Sequence, residues 1–335
     1  MSLLRSTRVL VISFGLLALG GCSSSKAAAG GAPSRDAGAG AGGSANSGAA
    51  GSAATAGAAG AAGSSATKPA GATDGGLQDA STGNSAHDAG DAGTGSATFT
   101  LPPLNAGLDY QLGGAYAPKA SVKIVSRDRN AQPAAGLYNI CYVNGFQIQT
   151  DEESFWMSAH PDLILRDAAQ GPVIDQAWNE MLIDVSTAAK RAAVAQVVGD
   201  WLKGCAAAGF DAVEIDNLDS YSRSGGRLTA DNAVDTMKLL SAAAHAAGLA
   251  IAQKNSSELV PRRAEMGTDF VVAEECNRYT ECDAYKAGYG DHVLVIEYRR
   301  ADFDKGCASY PELSMVLRDL NLVTPADAQY VYDGC

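Results

Sequence analysis

The chain has 335 residues, 46% of them hydrophobic, and carries 37 Asp and Glu against 25 Lys and Arg, a formal net charge of −12. That balance argues against nucleic acid as a partner, because binding to a polyanion draws on clustered basic residues. A cationic ligand or polymer is attracted to such a surface, although many secreted proteins are acidic for solubility alone.

The elements begin with a leader. Residues 1–21 carry Arg5 and Arg8, then an apolar run from Val9 to Leu19 and Gly20-Gly21 before Cys22. This is the pattern of a secretory signal with small residues at the cleavage site, too short and wrongly flanked for a spanning helix. Leu19-Gly20-Gly21-Cys22 resembles the bacterial lipobox, which implies that Cys22 becomes a lipidated first residue; an ordinary cleaved signal is the alternative. Ser23 after the cysteine points, by analogy with lipoprotein sorting, to the outer membrane or cell surface. Residues 24–98 then hold 18 of the 38 glycines and no Phe, Trp or Tyr. Residues 22–98 therefore read as a disordered Gly/Ala/Ser tether with an r.m.s. span of about 50 Å.

Residues 99–335 read as a single domain of about 235 residues, the usual size of a (β/α)8 TIM barrel. Five of the basic and five of the acidic residues fall in residues 1–100, so the whole charge of −12 sits on this domain. Beyond Cys22 there are six cysteines, an even number that suggests disulfides in an exported protein. Cys276 with Cys282 and Cys307 with Cys335 are the local pairings. A zinc site is the rival, but no Cys-x-x-Cys pair occurs.

Apolar, strand-like runs fall at residues 110–112, 122–126, 137–143, 163–165, 181–185, 212–215, 250–253, 270–273 and 294–297, alternating with amphipathic segments in the manner of a barrel. Nine candidates for eight positions leave one excursion, assigned to 163–165. Helices are expected at 187–208, 229–247, 256–266 and 311–320. The first begins at Ser186-Thr187 and stops at Gly209, matching cap and stop signals.

Three of the strands end in acid. Val213-Glu214-Ile215-Asp216-Asn217-Leu218-Asp219 is followed by Val271-Val272-Ala273-Glu274-Glu275-Cys276 and by Val293-Leu294-Val295-Ile296-Glu297-Tyr298. Charged residues where a buried strand stops are costly unless satisfied or used, and in a barrel the C-terminal strand ends form the catalytic face. Glu214 and Asp216 share one side of their strand. A calcium site or a structural network are alternatives for the Glu214/Asp216/Asp219 cluster, although the EF-hand pattern is incomplete. A Ser-His-Asp site is disfavoured: there is no Gly-x-Ser-x-Gly elbow, and the histidines form no His-x-His or His-Glu-x-x-His pattern. With no P-loop and no Gly-x-Gly-x-x-Gly after a strand, no organic cofactor is expected, nor a catalytic metal. Glycoside cleavage needs one carboxylic acid and one carboxylate. Asp216 and Glu274 can supply the pair, with Glu275 and Glu297 competing for the second position. Strand parity does not choose between Glu274 and Glu275, because the strand can already have ended there.

At this point several segments become recognisable. Asp109-Tyr110-Gln111-Leu112-Gly113-Gly114, Asn139-Ile140-Cys141-Tyr142, the run from Trp178 to Val185, Phe210 to Asp219, Gln253-Lys254-Asn255 and Glu274-Glu275-Cys276 together resemble glycoside hydrolase family 114, the endo-α-1,4-polygalactosaminidases with a TIM-barrel domain. The resemblance implies an endo-hydrolase that cuts α-1,4-linked galactosamine in a cationic, partly deacetylated exopolysaccharide. By motif it implies Asp216 and Glu274 as the catalytic pair, and Asp109, Tyr110, Gln111, Asn217, Asp219, Lys254, Glu297 and Tyr298 around the substrate. A monomer tethered to the membrane through its lipid is expected. Two alternatives accompany this reading: a non-catalytic exopolysaccharide-binding barrel, and a hydrolase of a neutral α-glycan. After Tyr142 the chain departs from the family pattern, running Val143 to Gln149 into an acidic Asp151-Glu152-Glu153 segment.

Overall fold

A computed structural model describes residues 98–335; the leader, Cys22 and the tether read from the sequence lie outside the described residues. Eight parallel strands form the centre: β1 (Gly107–Gln111), β2 (Val122–Asp128), β3 (Tyr138–Asn144), β4 (Ala212–Asp216), β5 (Ala250–Lys254), β6 (Phe270–Glu274), β7 (Val293–Glu297) and β8 (Ser314–Arg318). They are hydrogen-bonded in that order from β1 to β8, and a short β9 (Tyr332–Gly334) adds antiparallel to β8. The barrel closes between β8 and β1 through side chains rather than a ladder. At one end the Ala106 amide donates to Ser314 Oγ (2.9 Å), and at the other Arg318 donates to the carbonyl of Tyr110.

Alternation along each strand builds two layers. Tyr110, Ala212, Ala250, Ala252, Phe270, Val272, Leu294, Ile296 and Val316 fill the lumen. Val213 and Ile251 face outward onto the helices Ala188–Ala208 and Ala230–Ala246, and Val271, Val293 and Val295 onto the helical pieces that follow. The first long helix starts where Thr187 accepts from the Lys190 amide and ends at Gly209, whose φ of 94° is the left-handed conformation of a helix stop. Ala230–Ala246 is opened by a reciprocal Thr229–Asn232 capping box. Helical segments lie in the connections from β3 onward, whereas β1–β2 and β2–β3 are joined by loops.

Two expectations change. The eighth strand, Ser314–Arg318, lies inside the segment expected as a helix at 311–320. All five of its residues are buried, so the strand shows no apolar–polar alternation that would mark it. The run at 181–185 is not a barrel strand either. It joins 163–165 in an excursion between β3 and the Ala188–Ala208 helix, where Gln147–Ile148, Ile174–Asp175 and Glu180–Leu182 form a small antiparallel sheet. The excursion also carries the helix Glu153–Ala159, whose Trp156 is buried.

Cys276–Cys282 and Cys307–Cys335 are both bonded, and Cys141–Cys205 pins β3 to the Ala188–Ala208 helix. The described chain enters at the N-terminal pole of the barrel. There Phe99 stacks on His245 with ring centroids 4.7 Å apart, and Tyr138 donates its hydroxyl to the carbonyl of Thr100.

Candidate active site

The C-terminal pole gathers the acidic strand ends around one ammonium. Lys254, the last residue of β5, sets its Nζ 3.1 Å from Asp216 Oδ1 and 3.2 Å from both Glu214 Oε1 and Glu274 Oε2. All four side chains leave their strands on the lumen face, at the same parity as the apolar residues beneath them. The lysine is 2% exposed and Glu214 fully buried, whereas Asp216 and Glu274 keep 19% and 26% of their side chains open to solvent. The cation the carboxylates share is thus the chain's own.

Around this centre the remaining donors are tyrosines, a serine and an amide. Tyr110 donates to Glu214 Oε1 (2.6 Å) and Ser126 to Glu214 Oε2 (3.0 Å), so that carboxylate is spent beneath the cleft floor. Tyr142 donates to Asp216 Oδ2 (2.6 Å). Tyr298 donates to Glu274 Oε1, and Asn255 Nδ2 reaches Glu274 Oε2 (3.2 Å) while Asn255 Oδ1 accepts from the Glu274 amide (2.8 Å). The residue after each of these strand ends turns left-handed: Asn217 at φ 64°, Asn255 at φ 47° and Glu275 at φ 54°. Asparagine tolerates that conformation and glutamate does so at a cost, a strain of the kind that collects at functional sites.

The electrostatics separate the acids. Burial would raise the pKa of Asp216, but the Lys254 charge, the Tyr142 hydroxyl and the Asn217 amide outweigh it and hold Asp216 below the usual carboxylate range. Glu214 is pushed the other way, chiefly by burial. For Lys254, burial opposes the charge, yet Asp216, Glu274 and Glu214 together hold its pKa well above the ordinary lysine value. Burial and neighbouring carboxylates raise Tyr110, Tyr142 and Tyr298, so all three remain protonated donors.

Of the residues expected around the substrate, Asp216, Glu274, Tyr110, Lys254 and Tyr298 converge here. Asn217 borders the cleft, donating to Asn144 Oδ1 (3.1 Å) at the end of β3, and Asp219 lies at its rim in an ion pair with Arg223 (2.7 Å). Asp109, Gln111 and Glu297 do not reach the cleft. Asp109 and Gln111 leave β1 on the other face, where Gln111 Nε2 donates to Asp109 Oδ2 (2.7 Å), Arg127 to Gln111 Oε1 (3.0 Å) and Tyr116 to Asp109 Oδ1 (2.8 Å). With Arg318 3.3 Å from Asp109, this set latches the barrel seam. Glu297 shares the outward parity of Val293 and Val295 and accepts from the backbone and side chain of Asn277 (2.9 and 3.1 Å). Glu275, the competitor of Glu274, also turns outward to pair with Arg278 (2.6 Å).

Four contributors were given no role from the sequence: Ser126, Asn144, and Tyr142 and Asn255, the last two lying within segments that carry the family resemblance. Each is a polar residue at or near the C-terminal end of a barrel strand, and that position is the signal that finds them.

The Aspergillus fumigatus protein Ega3, solved in complex with galactosamine, matches with a TM-score of 0.57 at 22% identity over 72% of this chain and 100% of that one, which establishes a shared fold. The glycoside hydrolase domain of PelA from Pseudomonas aeruginosa matches at 16% identity with a TM-score of 0.46, over 67% and 97% of the respective chains. Among curated proteins none matches. The model of glycoside-hydrolase family GH114 spans residues 89–335, the whole barrel with its acidic mouth. The chain therefore belongs to family GH114 and is a glycoside hydrolase.

Proposed function

We propose that this enzyme cleaves α-1,4-linked galactosamine within a cationic exopolysaccharide, with Asp216 as nucleophile and Glu274 as acid and then base. The observation that carries the reading is one ammonium shared by three carboxylates, which leaves the cleft with surplus negative charge when all are ionised. Galactosamine bears an ammonium at neutral pH, and the charge of −12 on the domain draws such a polymer in. Galactosamine is also the sugar in the Ega3 complex.

In this mechanism Asp216, kept ionised by Lys254 and Tyr142, attacks the anomeric carbon as Glu274 protonates the departing glycosidic oxygen. Glu274, now a carboxylate, takes a proton from water, which displaces Asp216 and releases the sugar. The nucleophile is assigned to Asp216 because Lys254, Tyr142 and the Asn217 amide hold it in its charged form, and the acid/base role falls to Glu274 across the cleft. Because both carboxylates lie against one nitrogen, at 3.1 and 3.2 Å, their nearest oxygens are no more than 6.3 Å apart. That ceiling falls short of the roughly 6.5–9.5 Å of an inverting glycosidase and favours retention.

The proposal includes a monomer held at the outer membrane or cell surface by a lipid on Cys22, supported by the leader and by Cys22 itself. The test is product release from deacetylated α-1,4-galactosaminan by the full-length protein, with the anomer formed first read by NMR. Asp216→Asn and Glu274→Gln are expected to lose about three orders of magnitude in kcat. Cleavage of neutral α-glycans with the galactosamine polymer ignored would overturn the substrate reading, and binding of that polymer without its cleavage would overturn the catalytic one.

A further inference from the structure

The small sheet inserted after β3 carries a turn that the mechanism leaves unused. Between Ile174–Asp175 and Glu180–Leu182 the chain runs Gln176-Ala177-Trp178-Asn179, and Trp178 is 63% exposed, more than any other large hydrophobic residue among those described. Holding an indole in water forfeits about 2 kcal/mol or more of burial, and this one stands on a turn that is itself pinned. Asp175 Oδ1 accepts from the Ala177 amide (2.9 Å), its Oδ2 is reached by Gln147 (3.0 Å) and by Arg223 (2.6 Å), and Asn179 adopts a left-handed φ of 57°.

Glu180, two residues on, is tied to the cleft. Its Oε2 accepts from Asn144 Nδ2 (3.1 Å), and Asn144 Oδ1 in turn accepts from Asn217 Nδ2 (3.1 Å). Asn144 is also the residue that pairs with Asp216 across the β3–β4 ladder. Among the described residues no Lys or Arg pairs with Glu180. Arg223 is engaged by Asp175 and Asp219, and Lys254 by its three carboxylates.

We propose that Glu180 and Trp178 form a sugar subsite beside Asp216, in which Glu180 pairs with the ammonium of a deacetylated amino sugar and Trp178 stacks on the apolar face of its ring. The arm then selects unacetylated units, because an acetamido group brings no charge to Glu180. The surroundings of Glu180 fit: burial pushes its carboxyl up to about 7, opposed by the Asn144 bond and reinforced by Asp216 and Asp175. An arriving ammonium restores its charge, and an ion pair made in a half-dry site counts for more than one in water.

This rests on the galactosamine reading, and the experiment separates the two. The full-length enzyme, Glu180→Gln and Trp178→Ala are compared on α-1,4-galactosaminan, fully deacetylated and partly re-N-acetylated, with kcat and KM measured for each. The isosteric Glu180→Gln retains the Asn144 contact. The unmutated enzyme is expected to favour the deacetylated polymer, and in Glu180→Gln the ratio of the two KM values collapses about tenfold, the loss of one charge-assisted contact. Trp178→Ala is expected to raise KM on both polymers by a similar factor. An equal change in KM on both polymers for Glu180→Gln, or none, overturns the subsite while leaving the substrate reading standing. Failure of the unmutated enzyme to cut either polymer overturns both.

Discussion

Replacing Lys254 by methionine tests the central claim that one ammonium holds the cleft together. Methionine fills much of the same volume and removes only the charge and its donors. Removing one partner of a buried ion pair costs about 3–5 kcal/mol, because the other charge is left uncompensated. Here three carboxylates lose their shared cation at 3.1–3.2 Å, so a cost at the upper end, about 5 kcal/mol, is expected at pH 7. The pH dependence has a definite sign. The folded pKa of Asp216 lies below its unfolded value. Its contribution to stability is therefore complete above the unfolded carboxylate value, about 3.9, and is lost as pH falls through the folded one. The deficit of Lys254→Met should then be full at pH 7 and smaller under acid, where its carboxyls take up protons. Urea unfolding at both pH values measures this, with the acid limb of kcat/KM moving upward in the same variant. A deficit below about 1 kcal/mol, or one that is the same at both pH values, would refute the account.

Glu297 offers a control away from the cleft. Burial, opposed by Asn277, raises its pKa from 4.5 to about 7, so native stability falls as pH rises through that interval, and Glu297→Gln should flatten the fall by up to about 3 kcal/mol between pH 5 and pH 8 in urea titrations. Cys141–Cys205 closes a loop of 64 residues. Replacing both cysteines by alanine should lower stability by about 4 kcal/mol, measured against the unmutated protein under non-reducing conditions. Substituting Cys22 with alanine in the producing cell should move the protein from the membrane fraction to the soluble one; retention in the membrane would remove the lipid anchor from the proposal.

The carboxylates of the site were legible because a barrel puts its strand ends on one face: an apolar run ending in Asp216 or Glu274 states both the strand and the position of the acid. Glu297 ends an equally apolar run but has the opposite parity, and parity depends on register with neighbouring strands, which a single run does not contain. The same one-residue difference directs Asp109 and Gln111 to the seam and Tyr110 to the lumen. The Ser314–Arg318 strand escaped because Ser-Met-Val-Leu-Arg is compatible with a helix and follows Pro311, a residue suited to a helix start. Only its two neighbours, one on each side, make it a strand. The excursion was half visible for a related reason, since 181–185 has the composition of a buried strand and differs only in what it pairs with. Contacts such as Tyr142 to Asp216 join strands 74 residues apart in sequence, a distance over which no local pattern operates.

The clasp of Phe99 on His245, with Thr100 held by Tyr138, keeps the first described residues at the pole opposite Asp216 and Glu274. They take no part in walling the cleft, so a label or fusion attached at Phe99 would leave the acids open to a long polymer, whereas one placed on the strand ends would obstruct them.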